Sequence, residues 1–146
     1  MSNVLEKIIN QKKIDLLVIK KKYTNNLISE LIKQNKSYIN FKNKIVDNIK
    51  QNKISVIAEI KKASPSAGLI IKQYNPVTIA KNYILNGATC LSILTEEKFF
   101  LGNLQHIIDV KNNFKIPILC KDFFIDSYQV SLAKSFGADA ILIILS

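Results

Sequence analysis

Arginine is absent from the 146 residues, so every one of the 21 basic residues is a lysine. The formal net charge of +10 invites a nucleic-acid-binding interpretation, because cationic side chains supply most non-specific affinity for phosphates. Phosphate and guanine recognition, however, favours the bidentate hydrogen bonds of arginine. The lysines are also spread evenly along the chain rather than gathered in a patch. The sequence therefore predicts no nucleic-acid partner.

Glycine, cysteine and histidine are scarce, with four, two and one residues. Neither glycine-rich phosphate-binding motif is present, which disfavours the nucleotide-binding α/β folds. Cys90 and Cys120 both fall in apolar, strand-like runs, as is typical of buried free thiols. His106 has no second histidine or cysteine cluster to join, so the sequence predicts neither a metal site nor a histidine-activated nucleophile.

Long apolar segments are missing as well. No run approaches the roughly 18 residues of a membrane span, and the first seven residues lack the apolar core of a secretory signal. We therefore expect a cytoplasmic protein with no membrane partner. Hydrophobic residues make up 48% of the sequence, which is typical of a globular domain.

The first 50 residues differ from the rest in their pattern. Apolar residues recur at helical spacing among lysines and predict amphipathic helices that pack outside a main sheet. The apolar positions are Val4, Leu5, Ile8, Ile9, Leu16, Ile19, Leu27, Ile28, Leu31 and Ile32. Lys12–Lys13 and Lys20–Lys22 are more typical of solvated helix faces than of binding patches.

From residue 54 onward, four apolar runs alternate with helical segments, which predicts an α/β fold with a parallel sheet. The runs are Ile54–Lys61, Thr89–Thr95, Ile116–Lys121 and Asp139–Leu145. Helix ends are predicted at Asn75–Pro76 with Gly87, at Asn103, and at Ser127 with Gly137. Both a doubly wound sheet and a β/α barrel satisfy this order. A barrel needs eight strands and about 250 residues, so in that case 51–146 is its first half, with 1–50 as a helical extension.

The strongest functional signal is a pair of lysines at strand ends. Lys61 and Lys121 each close an apolar run, and ligands bind at the carboxyl ends of parallel strands. Because side chains alternate along a strand, Ile57, Glu59 and Lys61 share one face, while Val56, Ala58 and Ile60 share the face toward the helices. By the same parity, Leu119, Lys121 and Phe123 align. We expect two lysines and a carboxylate to meet at one rim, either to bind an anionic substrate and donate a proton or as a structural ion pair.

Neighbouring residues leave alternatives open. Ser64–Gly68 offers hydroxyl and N–H groups beside this rim, but such a segment is more often a plain turn. Phe99 and Phe100 are predicted either to wall an aromatic ligand or to pack in the core. Asp122 is predicted either to orient Lys121 or to cap a turn.

Four segments in the same order resemble the indole-3-glycerol phosphate synthase family, and the resemblance is to its enteric type. The segments are Ala58–Gly68, Leu91–Gly102, Pro117–Asp126 and Gly137–Ile143. This resemblance implies a (β/α)8 TIM-type barrel with an N-terminal helical extension over its mouth. It implies closure of the ring of 1-(2-carboxyphenylamino)-1-deoxyribulose 5-phosphate, with loss of carbon dioxide and water, and no metal or organic cofactor.

The resemblance also implies roles for individual residues. Lys121 matches the general acid that protonates the substrate carbonyl, and Lys61 matches the lysine that holds the leaving carboxylate, with Glu59 as its charged neighbour. Ser64 matches a substrate contact near the phosphate. Phe100, Phe123 and Leu142 match the walls of the aromatic-ring pocket.

Two hypotheses follow for the chain as a whole. The first is that it is the N-terminal half of such a synthase and inactive alone, because the family's later strands carry further catalytic residues and most phosphate-binding loops. The second is a non-catalytic remnant or a half-barrel that assembles with another chain. The enteric type adds fusion to a phosphoribosylanthranilate isomerase domain as an expectation.

Overall fold

The computed structural model describes residues 4–35 and 37–144. Its helices are α1 (Val4–Lys22), α2 (Asn25–Gln34), α3 (Phe41–Lys50), α4 (Pro76–Leu85), α5 (Gln105–Lys111) and α6 (Tyr128–Ser135). Its strands are β1 (Ile57–Ile60), β2 (Ala63–Ser64), β3 (Gly68–Leu69), β4 (Cys90–Leu94), β5 (Ile118–Lys121) and β6 (Ala140–Ile141). Within these residues we find no helix with the length and apolar character that a membrane crossing needs.

The main sheet has the order β1-β4-β5-β6, and every neighbouring pair is parallel. Helices α4, α5 and α6 make the connections, which confirms the predicted α/β fold as a partial barrel. The small antiparallel hairpin β2–β3 follows β1 and was not predicted. Each β-α connection returns the chain to the same end of the sheet, so the carboxyl ends of these strands form one rim.

All four predicted strands are longer than the observed ones, and the differences are largest for the first and the fourth. Ile54 is 88% exposed and precedes the first strand pairing, because an apolar run does not by itself require a partner strand. Val56 is likewise exposed, so it does not share the helix-facing role of Ile60. The fourth strand pairs only at Ala140 and Ile141, and the predicted end of that strand, Leu145, lies outside the described residues.

The core lies between the sheet and its helices. Strand positions of one parity face the helices there, whereas β4 is buried along its whole length, and both cysteines are buried and free. The largest fully buried side chains include Ile60, Leu91, Ile93, Ile107, Ile118 and Val110. Burial raises the pKa of Cys90 to about 11 and that of Cys120 to about 12, so both remain thiols at neutral pH.

Helix ends follow the capping chemistry of the sequence, with one exception. Asn75 accepts a hydrogen bond from the Thr78 N–H, and Asn103 accepts one from Gln105 N–H. Gly87 adopts a φ of +90° after α4, a conformation that glycine reaches without strain. Ser127 makes no capping hydrogen bond, whereas the Asp126 carboxylate accepts one from the N–H of Tyr128.

The first two helices pack on α6, and α1 also reaches the end of β5. Ile28 of α2 packs with Leu132 and Phe136 of α6. The Tyr128 hydroxyl donates to the carbonyl oxygens of Ile19 and Tyr23, which fixes the end of α1 to the start of α6. The predicted amphipathic packing is thus confirmed for α1 and α2, whereas α3 has no buried residue.

A buried ion pair ties the segment after α2 to the opposite, amino-terminal end of the sheet. The Asp139 carboxylate accepts hydrogen bonds from the N–H groups of Ile39 and Ile118, both at 2.7 Å. Lys111 Nζ lies 2.5 Å from the same carboxylate, and its side chain and that of Asp139 are 5% and 0% exposed. Lys111 also donates to the Ser37 carbonyl, so this charge pair joins four chain segments.

Candidate active site

Glu59 lies between two ammonium groups at the rim of the sheet. Its Oε1 is 2.8 Å from Lys61 Nζ and its Oε2 is 2.5 Å from Lys121 Nζ. Glu59 projects from β1 and Lys121 ends β5, with β4 between them, so long side chains of one parity reach across the intervening strand. The predicted convergence of two lysines and a carboxylate at one rim is confirmed.

The electrostatics of this cluster favour the ionised carboxylate. Partial burial acts to raise the pKa of Glu59, but the hydrogen bonds and charges of Lys121 and Lys61 outweigh it and hold the pKa below its ordinary value. All three side chains keep about a third of their surface exposed, with values of 29% for Glu59, 33% for Lys61 and 37% for Lys121. The ammonium groups are therefore accessible to an anion that approaches the rim.

Two aromatic side chains follow the carboxyl ends of β4 and β5. The Phe100 and Phe123 rings lie 6.0 Å apart at an interplanar angle of 38°. Both side chains are partly buried, so each leaves part of its surface free. Leu142 follows β6 and is 36% exposed. The structure brings two of the three predicted wall residues into contact.

The loop that carries Phe100 is built around Glu96, a residue to which the sequence analysis assigned no role. Glu96 is 1% exposed, and its carboxylate accepts hydrogen bonds from the N–H groups of Lys98, Phe99 and Phe100 at 3.1, 2.6 and 3.0 Å. The Gly102 N–H donates to the Glu96 carbonyl at 2.7 Å. The signal was present in the sequence, because a carboxylate just after an apolar strand commonly caps a turn.

Ser64 lies in the hairpin β2–β3, at the edge of the same rim. Its Oγ accepts the Ala67 N–H at 3.1 Å and lies 3.4 Å from Ser66 Oγ. The alternative of a structured turn is thus what the structure shows here. A substrate contact by Ser64 stays a prediction.

Asp122 caps a turn, as one of its two alternatives predicted. Its Oδ1 accepts the N–H of Phe123 at 2.7 Å, and its Oδ2 accepts the Thr95 hydroxyl at 2.8 Å. The same carboxylate forms an ion pair with Lys12 at 2.7 Å. The prediction that Lys12 lies on a solvated helix face is therefore wrong, because Lys12 lies on the inner face of α1 and pairs there with the Asp122 carboxylate.

Among the residues that the structure describes, no three His, Cys, Asp or Glu side chains gather in a way that could hold an ion. His106 lies on α5 with its Nδ1 at 3.5 Å from the Tyr74 hydroxyl, and burial lowers its pKa.

The chain is similar to known proteins of one family. The family model described as indole-3-glycerol phosphate synthase matches residues 5–146. The chain belongs to this family. The indole-3-glycerol phosphate synthase of Aliarcobacter butzleri is 43% identical over 145 residues, which cover 97% of this chain and 54% of that protein. That of Trichodesmium erythraeum is 49% identical over 94 residues, covering 64% of this chain and 32% of that protein.

A longer relative is also similar. The tryptophan biosynthesis protein TrpCF of Buchnera aphidicola subsp. Schizaphis graminum is 47% identical over 143 residues, or 98% of this chain and 30% of that protein. Two relatives match 97% of this chain, and the matched regions cover 54% and 53% of their own lengths. The chain therefore spans about half the length of these relatives. It is thus equivalent to the amino-terminal half of those relatives.

Proposed function

We propose that the chain supplies the amino-terminal half of an indole-3-glycerol phosphate synthase. The substrate is 1-(2-carboxyphenylamino)-1-deoxyribulose 5-phosphate, and the reaction closes the indole ring with loss of carbon dioxide and water. The observation that carries this proposal is the Lys61–Glu59–Lys121 cluster at the carboxyl ends of β1 and β5. In this proposal residues 51–146 form the first half of the barrel and 1–50 its helical extension.

Lys121 and Lys61 have different chemical roles in this proposal. Lys121 donates a proton to the carbonyl oxygen of the substrate while the carbonyl carbon bonds to the aromatic ring. Lys61 holds the carboxylate that leaves as carbon dioxide, and it can serve as a second acid for loss of water. Glu59 keeps both ammonium groups at the rim before the substrate arrives. An exposed third of each lysine side chain supports access by a doubly acidic substrate.

The remaining proposed contacts surround this centre. Phe100 and Phe123 form an aromatic wall with Leu142, where the phenyl ring of the substrate packs. Ser64 contacts the substrate near its phosphate from the hairpin that follows β1. The cytoplasmic location expected from the sequence stays a prediction.

The acid role of Lys121 is tested in a chimera of residues 1–146 with the carboxyl-terminal half of the Aliarcobacter butzleri relative. Lys121→Met is expected to lower kcat by about 10² to 10⁴, the usual contribution of a positioned general acid. Formation of indole-3-glycerol phosphate is the measurement. Lys115→Met removes an exposed lysine from the opposite end of β5 and serves as the control. Near-normal turnover of Lys121→Met would refute the assignment.

The isolated 146-residue chain is expected to show no synthase activity, because it lacks the second half of the relatives. A second candidate is a half-barrel that assembles with another chain, and exposed apolar residues in β1 and just after β6 favour it: Ile57 is 46% and Ile143 is 56% exposed. Light scattering separates a monomer from an assembly. Robust turnover by the isolated monomer would contradict the proposal that half of the site is elsewhere.

We further propose that the parent protein is of the enteric type, with a phosphoribosylanthranilate isomerase domain fused after the synthase. The support is the Buchnera relative named TrpCF, of which this chain covers 30%, against 54% of the Aliarcobacter butzleri relative. The genomic sequence that follows codon 146 tests this directly. A stop codon soon after one barrel's length would contradict it.

A further inference from the structure

Lys12 belongs to α1, yet its ammonium group is buried against the end of β5. Its Nζ lies 2.7 Å from Asp122 Oδ1, and the two side chains are 7% and 12% exposed. Removal of charges from water is unfavourable unless they are paired and hydrogen-bonded. This ion pair therefore fixes the first helix of the chain to the residue that directly follows Lys121.

Asp122 is also hydrogen-bonded to both strand ends of the site. Its carboxylate accepts the Phe123 N–H and the Thr95 hydroxyl, at 2.7 and 2.8 Å. The Thr95 N–H in turn donates to the Lys121 carbonyl at 3.1 Å. One carboxylate thus joins α1, the end of β4 and the end of β5.

Lys12 lies on the helix-facing side of β5, behind the rim. Cys120 and Asp122 share one parity and face the helices, whereas Lys121 and Phe123 share the other. A recess between α1 and the sheet is lined by Lys12, Cys120 and Asp122 but by none of Glu59, Lys61 and Lys121. Lys12 and the proposed substrate position are therefore on opposite sides of β5.

We propose that Lys12 is a positioning residue for this site, acting through Asp122 on Lys121 and Phe123. The inference rests on the proposed function for its catalytic consequence. Without the ammonium group, Asp122 is a largely buried anion with no compensating cation from α1, and it gains by moving toward water. That movement withdraws the hydrogen-bond acceptor from the Phe123 N–H and from the Thr95 hydroxyl. Because a proton donor must be aimed closely, we expect the chemical step to suffer more than substrate binding.

The first test follows amide hydrogen exchange in the 146-residue chain by NMR. In Lys12→Met, exchange at the Phe123 amide is expected to be at least about tenfold faster, since its acceptor is displaced. Exchange at Ile118, whose amide donates to Asp139 at the other end of β5, stays unchanged. Lys13→Met is the matched control, because Lys13 is the exposed neighbour on the same helix. Unchanged exchange at Phe123 in folded Lys12→Met would overturn the inference.

Two further variants separate the effect of the Lys12 charge from the effect of docking α1 on the sheet. Leu16→Ala removes buried apolar contact from the same face of α1 and leaves the ion pair, while Lys12→Arg keeps a cation for Asp122. Both are expected to keep the exchange rate of the Phe123 amide within about threefold of that in the parent chain. If Lys12→Met does not fold, these two variants test whether the charge of Lys12 positions Asp122. If either accelerates Phe123 exchange tenfold, the charge of Lys12 is not what positions Asp122, and the inference fails.

The second test measures kinetics in the chimera described above. Lys12→Met is expected to lower kcat about ten- to hundredfold with KM within about threefold, and Lys13→Met is expected to change neither. An unchanged kcat, or a change in KM alone, would overturn the catalytic part of the inference. If the chimera with native Lys12 shows no turnover, the proposed function fails, and the exchange experiment still decides whether Lys12 positions Phe123.

Discussion

At the scale of single residues, the pKa of Glu59 shows most clearly how the charges at the rim interact. Its folded-state pKa is lowered by Lys121 and Lys61 against the opposing effect of partial burial. A carboxylate with a lowered pKa stabilises the folded state above its unfolded-state pKa, and this contribution is lost as pH falls through the folded-state pKa. We therefore expect the ionised form of Glu59 to stabilise the chain at pH 7 and not at strongly acidic pH.

The comparison of the parent chain with Glu59→Gln tests this. The difference in free energy of unfolding between them should be largest at neutral pH and should shrink as pH falls below the ordinary carboxyl value of 4.5. Urea denaturation at several pH values is the measurement. A difference that stays constant from pH 7 to pH 3 would show that the two lysines do not act on the charge of Glu59.

Glu96 gives a second prediction at this scale. Its carboxylate oxygens accept three backbone N–H groups in a site that is 1% exposed, and an amide in their place would turn an NH2 group toward one or more of these donors. We expect Glu96→Gln to destabilise the fold by about 2 to 4 kcal/mol, as for lost hydrogen bonds to a buried charge. Glu97→Gln, at the exposed neighbour, should change stability by less than about 0.5 kcal/mol. Equal urea midpoints for the two variants would contradict this.

Glu59, Lys61 and Lys121 could be predicted as a group, because strand parity pairs Glu59 with Lys61 and both lysines follow the carboxyl ends of apolar runs. The role of Lys12 could not, because its partner Asp122 is brought close only when α1 docks on the sheet. Helical periodicity identifies the inner face of a helix, but a lysine at its margin looks the same whether an anion lies opposite or not. Glu96 follows an apolar strand, where a carboxylate commonly caps a turn, but the sequence does not show which backbone N–H groups the loop brings to it.

At the scale of elements, Gly102 shows how closely the β4 loop folds back on its strand. A Cβ atom at this position would lie 2.4 Å from the carbonyl oxygen of Leu94 and 2.9 Å from that of Glu96. Because both obstacles are backbone, the loop has to move before any side chain can be accommodated. The loop that carries Phe100 therefore depends on the absence of a side chain at Gly102.

Gly102→Ala is expected to destabilise the fold by about 1 to 3 kcal/mol, the usual range for forced backbone shifts. Gly87→Ala is the comparison, because Gly87 has a φ of +90° but open space around it, so its substitution costs only about 1 kcal/mol of backbone strain. Thermal unfolding of the two variants gives the order. A more stable Gly102→Ala than Gly87→Ala would mean that the close approach to Leu94 is relieved easily.

The order and type of the main elements were predictable, because continuous apolar strands alternate with well-capped helices. Strand ends were not, as Ile54 and Val56 show, since hydrophobicity does not reveal where pairing with β4 begins. The hairpin β2–β3 was also missed. Its two-residue strands are too short for an alternating pattern to be read.

At the scale of the whole molecule, the Lys111–Asp139 pair holds the N-terminal segment to the sheet. Lys111→Met leaves the fully buried Asp139 carboxylate without its cation, and we expect a loss of about 3 to 5 kcal/mol in the free energy of unfolding. Lys115→Met, which removes an exposed lysine nearby in the sequence, should have an effect below about 0.5 kcal/mol. Urea denaturation measures both. A loss under about 1 kcal/mol for Lys111→Met would show that Asp139 is adequately held by its backbone donors.

The hydroxyl of Tyr128 meets the carbonyl of Tyr23 across 105 residues of sequence, and Asp126 meets Lys20 across 106. On the ribosome, α1 therefore emerges long before the surface on which it rests has been synthesised. The apolar face of the nascent helix therefore stays exposed until α6 leaves the exit tunnel. Contacts of such long range also slow folding, because a long loop has to close before they form. Early chaperone binding to the first helix would protect the chain during this interval.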